Sequence, residues 1–372
     1  MAAGVYIHVP FCKSRCSYCD FATDVYRDAA WVDRYVDALI AEISASDSIP
    51  GTIDSVYFGG GTPSLLSATQ VSTIVEAIGS RFSLTSDLEF TLEMNPATVT
   101  PEKLAGFRAA GVNRASFGVQ TFNDRDLKLL ARGHDAHDAR TTYDLLRTAG
   151  FENVSFDLIA GLPGQTLADW ESNLNEAMRL GPDHISLYLL EIHEGTPLAE
   201  QLRTNRRPMP DEDLAATMYE RMLDLTSSNG LAQYEISNFA RPGRESRHNS
   251  KYWTLEPVLG FGVSAHSFDG RERYANVRDT NEYVKAIERG ASTESFRELV
   301  DEAAEYVFLG LRLTAGIDLG DYHRRFGRDL AIERSDALAS LAENGLVEIA
   351  SGRLRLTRRG MLFSNEVFAE FV

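Results

Sequence analysis

The chain has 372 residues, 44% of them hydrophobic, with 54 acidic against 37 basic side chains and a formal charge of −17. That balance opposes binding to phosphate backbones and anionic lipid surfaces, and no apolar run reaches transmembrane length. The length and a mean hydropathy of −0.22 predict a soluble protein with one large α/β unit and a smaller second one. The opening Met1-Ala2-Ala3-Gly4 leads straight into a first predicted strand, Val5–Val9, with no basic start or export-length apolar stretch, which predicts a cytoplasmic location.

Directly after that strand come the only three cysteines, Cys12, Cys16 and Cys19. Spacings of three residues and then two let one short loop turn three thiolates toward one centre, as an iron–sulfur cluster requires, and leave a fourth ligand position open for another molecule. A Cys3His zinc site with His8 is the alternative, although zinc usually takes two separated ligand pairs. A disulfide framework is disfavoured by the odd count and the length of the chain.

Further predicted strands follow at Ser55–Phe58, Leu88–Glu93, Arg114–Val119, Val154–Ile159 and His184–Glu191. They alternate with amphipathic segments at Trp31–Ser44, Ala68–Ile78, Pro101–Ala110, Ala136–Ala149 and Leu167–Leu180, with helix stops at Gly111 and Gly150. Six such βα units predict an incomplete parallel barrel rather than a closed eight-stranded one, with its ligand site beyond the C-terminal strand ends. Those ends carry Gly59-Gly60-Gly61-Thr62-Pro63-Ser64, then Glu93, Gln120 and Asp157 in turn. Glycines after a buried strand let backbone groups approach a ligand closely. The three polar side chains read either as strand-end caps or as a hydrogen-bonding set for a ribose and an amino acid. Arg132, in Leu130-Ala131-Arg132-Gly133-His134, reads either as a carboxylate partner or as a helix-end arginine at the surface.

Two short basic clusters, Arg203 to Arg207 and Arg241 to Arg247, read as solvated loop charge. The run His248-Asn249-Ser250-Lys251-Tyr252-Trp253 places a histidine beside two aromatics, which reads either as a loop histidine that only hydrogen-bonds or as an axial ligand with packing rings for an iron-bound tetrapyrrole. No Cys-x-x-Cys-His attachment motif is present, because Cys19 is followed by Asp20. From about Asp301 the pattern changes to helices at Ala303–Leu313, Leu319–Phe326 and Leu330–Glu343. A hairpin of Leu346–Ile349 and Leu354–Thr357 follows, an α+β winged-helix-like order. The third helix carries Asp329, Glu333, Asp336 and Glu343 against Arg334, a poor charge pattern for DNA, so a partner- or lid-forming domain is expected. The predicted division is 1–232 for the partial barrel, 233–300 for a connecting segment and 301–372 for the C-terminal domain.

The cysteine trio, with Tyr18 before the third cysteine, resembles the radical S-adenosylmethionine (SAM) enzymes, and so implies a [4Fe-4S] cluster held by Cys12, Cys16 and Cys19 with SAM on the open iron. Longer phrases are similar to the oxygen-independent coproporphyrinogen III oxidase group: Tyr6 to Cys12, Gly59 to Ser64, Ser116 to Phe122 and Asp157 to Pro163. By that resemblance Tyr6, Tyr18, Gly60, Gly61, Thr62, Glu93, Gln120, Arg132 and Asp157 would contact SAM.

Two features separate the chain from the oxidases. They carry a further cysteine two places after the third, where this chain has Phe21, and an extension ahead of the first strand, where Tyr6 here stands almost at the start. Conversely, His248 to Trp253 matches the His-Asn-x-x-Tyr-Trp signature of the HemW-type heme chaperones, and Gly260-Phe261-Gly262-Val263-Ser264-Ala265-His266-Ser267 follows in the expected place. The resemblance therefore implies heme binding at His248, with His193 and His266 as other candidates, and transfer to heme-accepting proteins, respiratory enzymes at the membrane among them. Nucleic acid is not expected as a partner, a homodimer is open, and no residue is assigned as catalytic. The alternatives are a coproporphyrinogen III dehydrogenase making protoporphyrinogen IX by radical decarboxylation, and a winged-helix regulator with a redox cluster.

Overall fold

The computed structural model describes residues 2–46 and 51–372, so Met1 of the opening segment lies outside the described residues. Six parallel strands, Ala3–Val9, Ile53–Gly60, Leu84–Met94, Arg114–Gln120, Asn153–Ala160 and His184–Leu189, lie side by side in chain order. Strand period sorts their side chains onto two faces. Val5, Ile7 and Val9 join the core under the helices, whereas Tyr6 meets Tyr57 and His248 inside the lumen.

The intervening helices begin where the sequence supplies caps. Capping boxes pair Ser67 with Gln70, Asp135 with Asp138 and Thr166 with Asp169. The helix Leu167–Leu180 ends on Gly181 in the left-handed conformation. These helices cover the outer face, so the parallel strands are buried on both sides, as parallel sheets require.

The sheet does not stop at six strands. Val258–Phe261 runs parallel to the first strand and is followed by antiparallel His266–Phe268, Glu272–Asn276 and Glu294–Leu299. At the opposite edge Asn238–Ala240 and Ala232–Gln233 add antiparallel to the sixth strand. Residues 232–299 thus supply strands to both edges. Between those additions the helix Arg247–Thr254 covers the N-terminal end of the lumen; Glu89 accepts from the backbone N–H groups of Arg247 and His248, both at 3.0 Å.

Three expected elements are corrected. The sixth strand ends at Leu189, not Glu191, because its neighbour ends at Ala160 and Gly161 then turns away with φ of 75°. The helix expected over Ala303–Leu313 spans Glu302–Gly310, since Leu313 leaves it to bridge to Glu235. The helix expected over Leu330–Glu343 is broken at Arg334 into Leu330–Glu333 and Ser335–Glu343. The hairpin Val347–Ala350 with Arg353–Leu356 gains a third strand, Ile317–Asp318, giving the C-terminal region a small antiparallel sheet. Ala303, Val307 and Leu311 pack into the same hydrophobic core as the barrel. No helix among the described residues is long and apolar enough to cross a membrane.

Candidate functional site

Parallel register brings the polar strand ends together. Glu93 stands beside Ser116, Gly118 beside Asp157, and Asp157 beside Ser186, so alternate residues of successive strands face one lumen. A bulge between Gly118 and Gln120 turns Gln120 into the left-handed region at φ 66°. For a residue with a side chain such backbone costs on the order of 1–3 kcal/mol and is characteristic of functional positions. A Cβ on Gly118 would lie 2.6 Å from the Gln120 amide nitrogen, so the glycine makes room for that turn.

The cysteine loop is anchored above this lumen. Phe11–Cys12 pairs in parallel with Asp24–Val25, closing the loop at its base. Ser17 donates through its backbone N–H to the Leu130 carbonyl and through its hydroxyl to the Leu129 carbonyl, both at 3.0 Å. Tyr18 packs against the apolar cluster containing those two leucines. All three thiols are half-buried.

A hydrogen-bonded chain links the thiols to the strand ends. Thr62 Oγ1 lies 3.6 Å from Cys12 Sγ and accepts from Asn95 Nδ2 at 2.8 Å. Asn95 Oδ1 accepts from Arg132 Nη2 at 2.7 Å, and Arg132 also donates to the Gly118 carbonyl at 2.7 Å and reaches Cys16 Sγ at 3.5 Å. Arg132 is therefore not a surface helix-end residue but a strut beneath the cysteine loop. Its Nε is buried with no protein partner among the described residues.

Glu93 accepts from the Tyr57 hydroxyl at 2.6 Å and from the Gly60 backbone N–H at 3.2 Å. Burial, with Asp157 nearby, outweighs those bonds and pushes its carboxyl up to about 7. Burial also raises Asp157, against the Ser186 hydroxyl and the Arg114 and Arg132 charges. Two partly desolvated carboxyls without a full set of donors make a lumen prepared for a cationic or hydroxyl-bearing ligand.

Gly61 is held close to the cysteine strand, where a Cβ would lie 2.6 Å from the Pro10 carbonyl oxygen and 2.8 Å from that of Phe11. Since both neighbours are backbone, Gly61→Ala is expected to displace the cysteine loop. The predicted outcome is at least a halving of iron retained after reconstitution, with a stability loss of about 1–3 kcal/mol. Iron analysis and denaturant unfolding would check both.

The residues fit a thiolate-held cluster better than a zinc ion. Burial raises the Cys12 thiol to about 11, so it stays protonated until a metal displaces the proton. Among the described residues no three His, Cys, Asp or Glu side chains converge closely enough to hold one ion, and a cube that gives each thiolate its own iron does not require them to. His8, the fourth ligand of the zinc alternative, has both ring nitrogens engaged, by the Ala22 carbonyl at 2.8 Å and the Tyr6 hydroxyl at 3.1 Å.

His248 lies 1% exposed on the helix beneath the lumen. Its Nδ1 pairs with Ser55 Oγ at 3.1 Å and its Nε2 with the Tyr252 hydroxyl at 3.2 Å, while its ring stacks on Tyr57 with centroids 5.2 Å apart. Burial lowers it to about 3, so it is held neutral. Tyr252 is beside it as expected, but Trp253 instead packs under the Arg312 guanidinium. Sequence reasoning did not single out Tyr57 or Asn95 as site residues. Strand alternation with Gly59 would have placed Tyr57 in the lumen, and Asn95 is two residues beyond Glu93.

An incomplete parallel barrel with three loop thiols and a polar ring at its strand ends defines a radical SAM protein. Consistently, the Radical SAM superfamily matches residues 6–177 and the HemN C-terminal domain matches residues 299–363. The chain belongs to the HemW heme chaperone family. It is 39% identical over 373 residues to heme chaperone HemW of Bacillus subtilis (strain 168), covering 99% of this chain and 98% of the relative. Against heme chaperone HemW of Mycobacterium tuberculosis (strain ATCC 25618 / H37Rv) the identity is 39% over 372 residues, covering 98% and 93%. The structure of coproporphyrinogen III oxidase (HemN) from Escherichia coli superposes with a TM-score of 0.88 at 25% identity, covering 100% of this chain and 90% of that one.

Proposed function

We propose that this protein binds heme and passes it to acceptor proteins in the cytoplasm, with a [4Fe-4S] cluster on Cys12, Cys16 and Cys19 and SAM beside it. The near full-length match to curated heme chaperones carries this reading. Phe21, where the oxidases of the wider group have a cysteine, favours it over porphyrinogen decarboxylation, and its ring is 67% exposed rather than turned into the core.

When bound, the cluster supplies an open iron and an electron source for SAM. The chain's own residues position and shield. The Gly60 N–H is held by Glu93 and the Gly61 N–H by the Val9 carbonyl, which fixes the glycine run beside the cysteine strand, Thr62 and Arg132 brace two of the cysteines, and Glu93, Gln120 and Asp157 present hydrogen-bonding groups to the ligand. Tyr6 stacks on Tyr57 in the lumen, and Tyr18 packs the cysteine loop against the apolar cluster of Leu129 and Leu130. His248 supports this set from below, since the Tyr57 ring it stacks on holds Glu93.

Anaerobic reconstitution, heme titration and a transfer assay to an apo-acceptor test the proposal, run in parallel with coproporphyrinogen III conversion. Heme uptake and transfer without protoporphyrinogen formation is the expected result. Failure to bind heme, or conversion of coproporphyrinogen, overturns it.

A further inference from the structure

A protein that gives heme away must grip the iron with a side chain that solvent and an acceptor can reach. Of the eight histidines, most are committed elsewhere. His8 and His248 have both ring nitrogens bonded inside the lumen. His184 is fully buried between Ser155 and Tyr234, and His134 is buried against the Val119 carbonyl. His137 lies on the exposed face of the helix Ala136–Thr148, and His323 is bonded to the Arg328 carbonyl in the C-terminal region. His193 stands between the carboxylates of Asp20 and Glu191, each at 3.6 Å.

His266 differs from all of these. Like His137 it is exposed and its imidazole makes no hydrogen bond among the described residues, but its ring also lies 5.6 Å from that of Phe296, an aromatic neighbour that His137 lacks among the described residues. It faces an open cavity of about 320 Å³ lined by Tyr6, His8, Phe21, Tyr252 and Arg278. Two of those rings, Phe21 and Tyr252, are exposed large apolar groups, and so is Phe296 behind His266. A free imidazole among exposed aromatic faces is what an iron porphyrin offers partners for, one ligand for the metal and flat apolar surface for the macrocycle. Arg278, 66% exposed and already paired with Asp20 at 3.1 Å, supplies a cation at the rim for a propionate.

The backbone holds His266 in place. The Gly262 φ of 98° and the Ser264 φ of 56° shape the turn before it, and Gly260 on the neighbouring strand has no Cβ to block its carbonyl. Of the three histidines that the sequence left as candidates, His266 in the run from Gly260 to Ser267 is thereby the one the geometry favours. Asp20 and Phe21 directly follow Cys19, and the Ala22 carbonyl holds His8, so one loop borders both the cluster and this cavity.

We infer that His266 is the heme-iron ligand and that this aromatic cavity beside the cysteine loop seats the porphyrin. The inference rests on the heme-binding reading above. Its test is hemin titration of the full-length, anaerobically reconstituted protein, comparing wild type with His266→Ala and His193→Ala by absorbance and resonance Raman spectra. His266→Ala is expected to weaken binding by about tenfold or more and to remove the imidazole-ligated signature, which added imidazole restores. His193→Ala is expected to bind as wild type, and cluster absorbance in both variants reports an intact cysteine loop. If wild type takes up heme and His266→Ala matches it in affinity and spectrum, His266 is not the ligand although heme binding stands. If wild type takes up none, the heme-binding reading falls and this inference with it.

Discussion

Cys16→Ser is expected to leave the protein folded but unable to retain its cluster, with bound iron and charge-transfer absorbance falling below about a tenth of wild type. The reason is geometric. Cys16 lies on a loop whose fold is held by other groups: the Phe11–Cys12 pairing, the Ser17 bonds to Leu129 and Leu130, and the Tyr18 packing. Among the described residues its thiol hydrogen-bonds to Arg132 alone, and Arg132 keeps its bonds to Asn95 and Gly118. Far-ultraviolet circular dichroism should therefore be unchanged while iron analysis collapses, and Cys12→Ser and Cys19→Ser should behave alike. A variant that reconstituted to full iron content would remove the serine position from the ligand set.

Glu93→Gln is expected to do two opposite things: stabilise the SAM-free protein at alkaline pH and weaken SAM binding. Burial raises this carboxyl from 4.5 to about 7, so the native state binds its proton more tightly than the unfolded chain does. Below pH 4.5 both states are protonated and the group contributes no difference. As pH rises through the interval to about 7 the native state must surrender a proton it holds well, and stability falls; above that the loss is constant at roughly 3 kcal/mol. Gln carries no such charge, so denaturant unfolding should show the variant more stable than wild type at pH 8 by up to that amount and equal to it at pH 4. The same carboxylate is available to a bound ligand. Replacing a charged acceptor in a desolvated site costs about 1.5–3 kcal/mol, at least tenfold in affinity, measurable by calorimetry. Unchanged SAM affinity would exclude Glu93 from that contact.

These two residues also differ in how they could be read. The cysteine cluster is a local pattern, complete within eight positions, and the order of strands and helices follows from apolar periodicity over short windows. Glu93, Gln120 and Asp157 were legible because strand ends of a parallel barrel converge by topology, whatever the side-chain detail. Strand and helix limits were less so: Arg334 breaks a helix that no glycine or proline interrupts, and the sixth strand stops at Leu189 because of where its neighbour stops.

By itself the sequence determined the three-thiol loop, the six alternating βα units, the polar set at their ends and the smaller C-terminal region, since each rests on spacing along a few turns or one strand. Only the tertiary structure decided which polar groups are already satisfied. Arg132 became a strut through Asn95 and Gly118, His248 was drawn into the lumen by Ser55, 193 positions away, and His266 was left free on one of the antiparallel strands added beyond the barrel. The physical reason is that hydrogen-bond partners and burial are set by contacts between strands distant in the chain, and these decide whether a histidine remains available to iron.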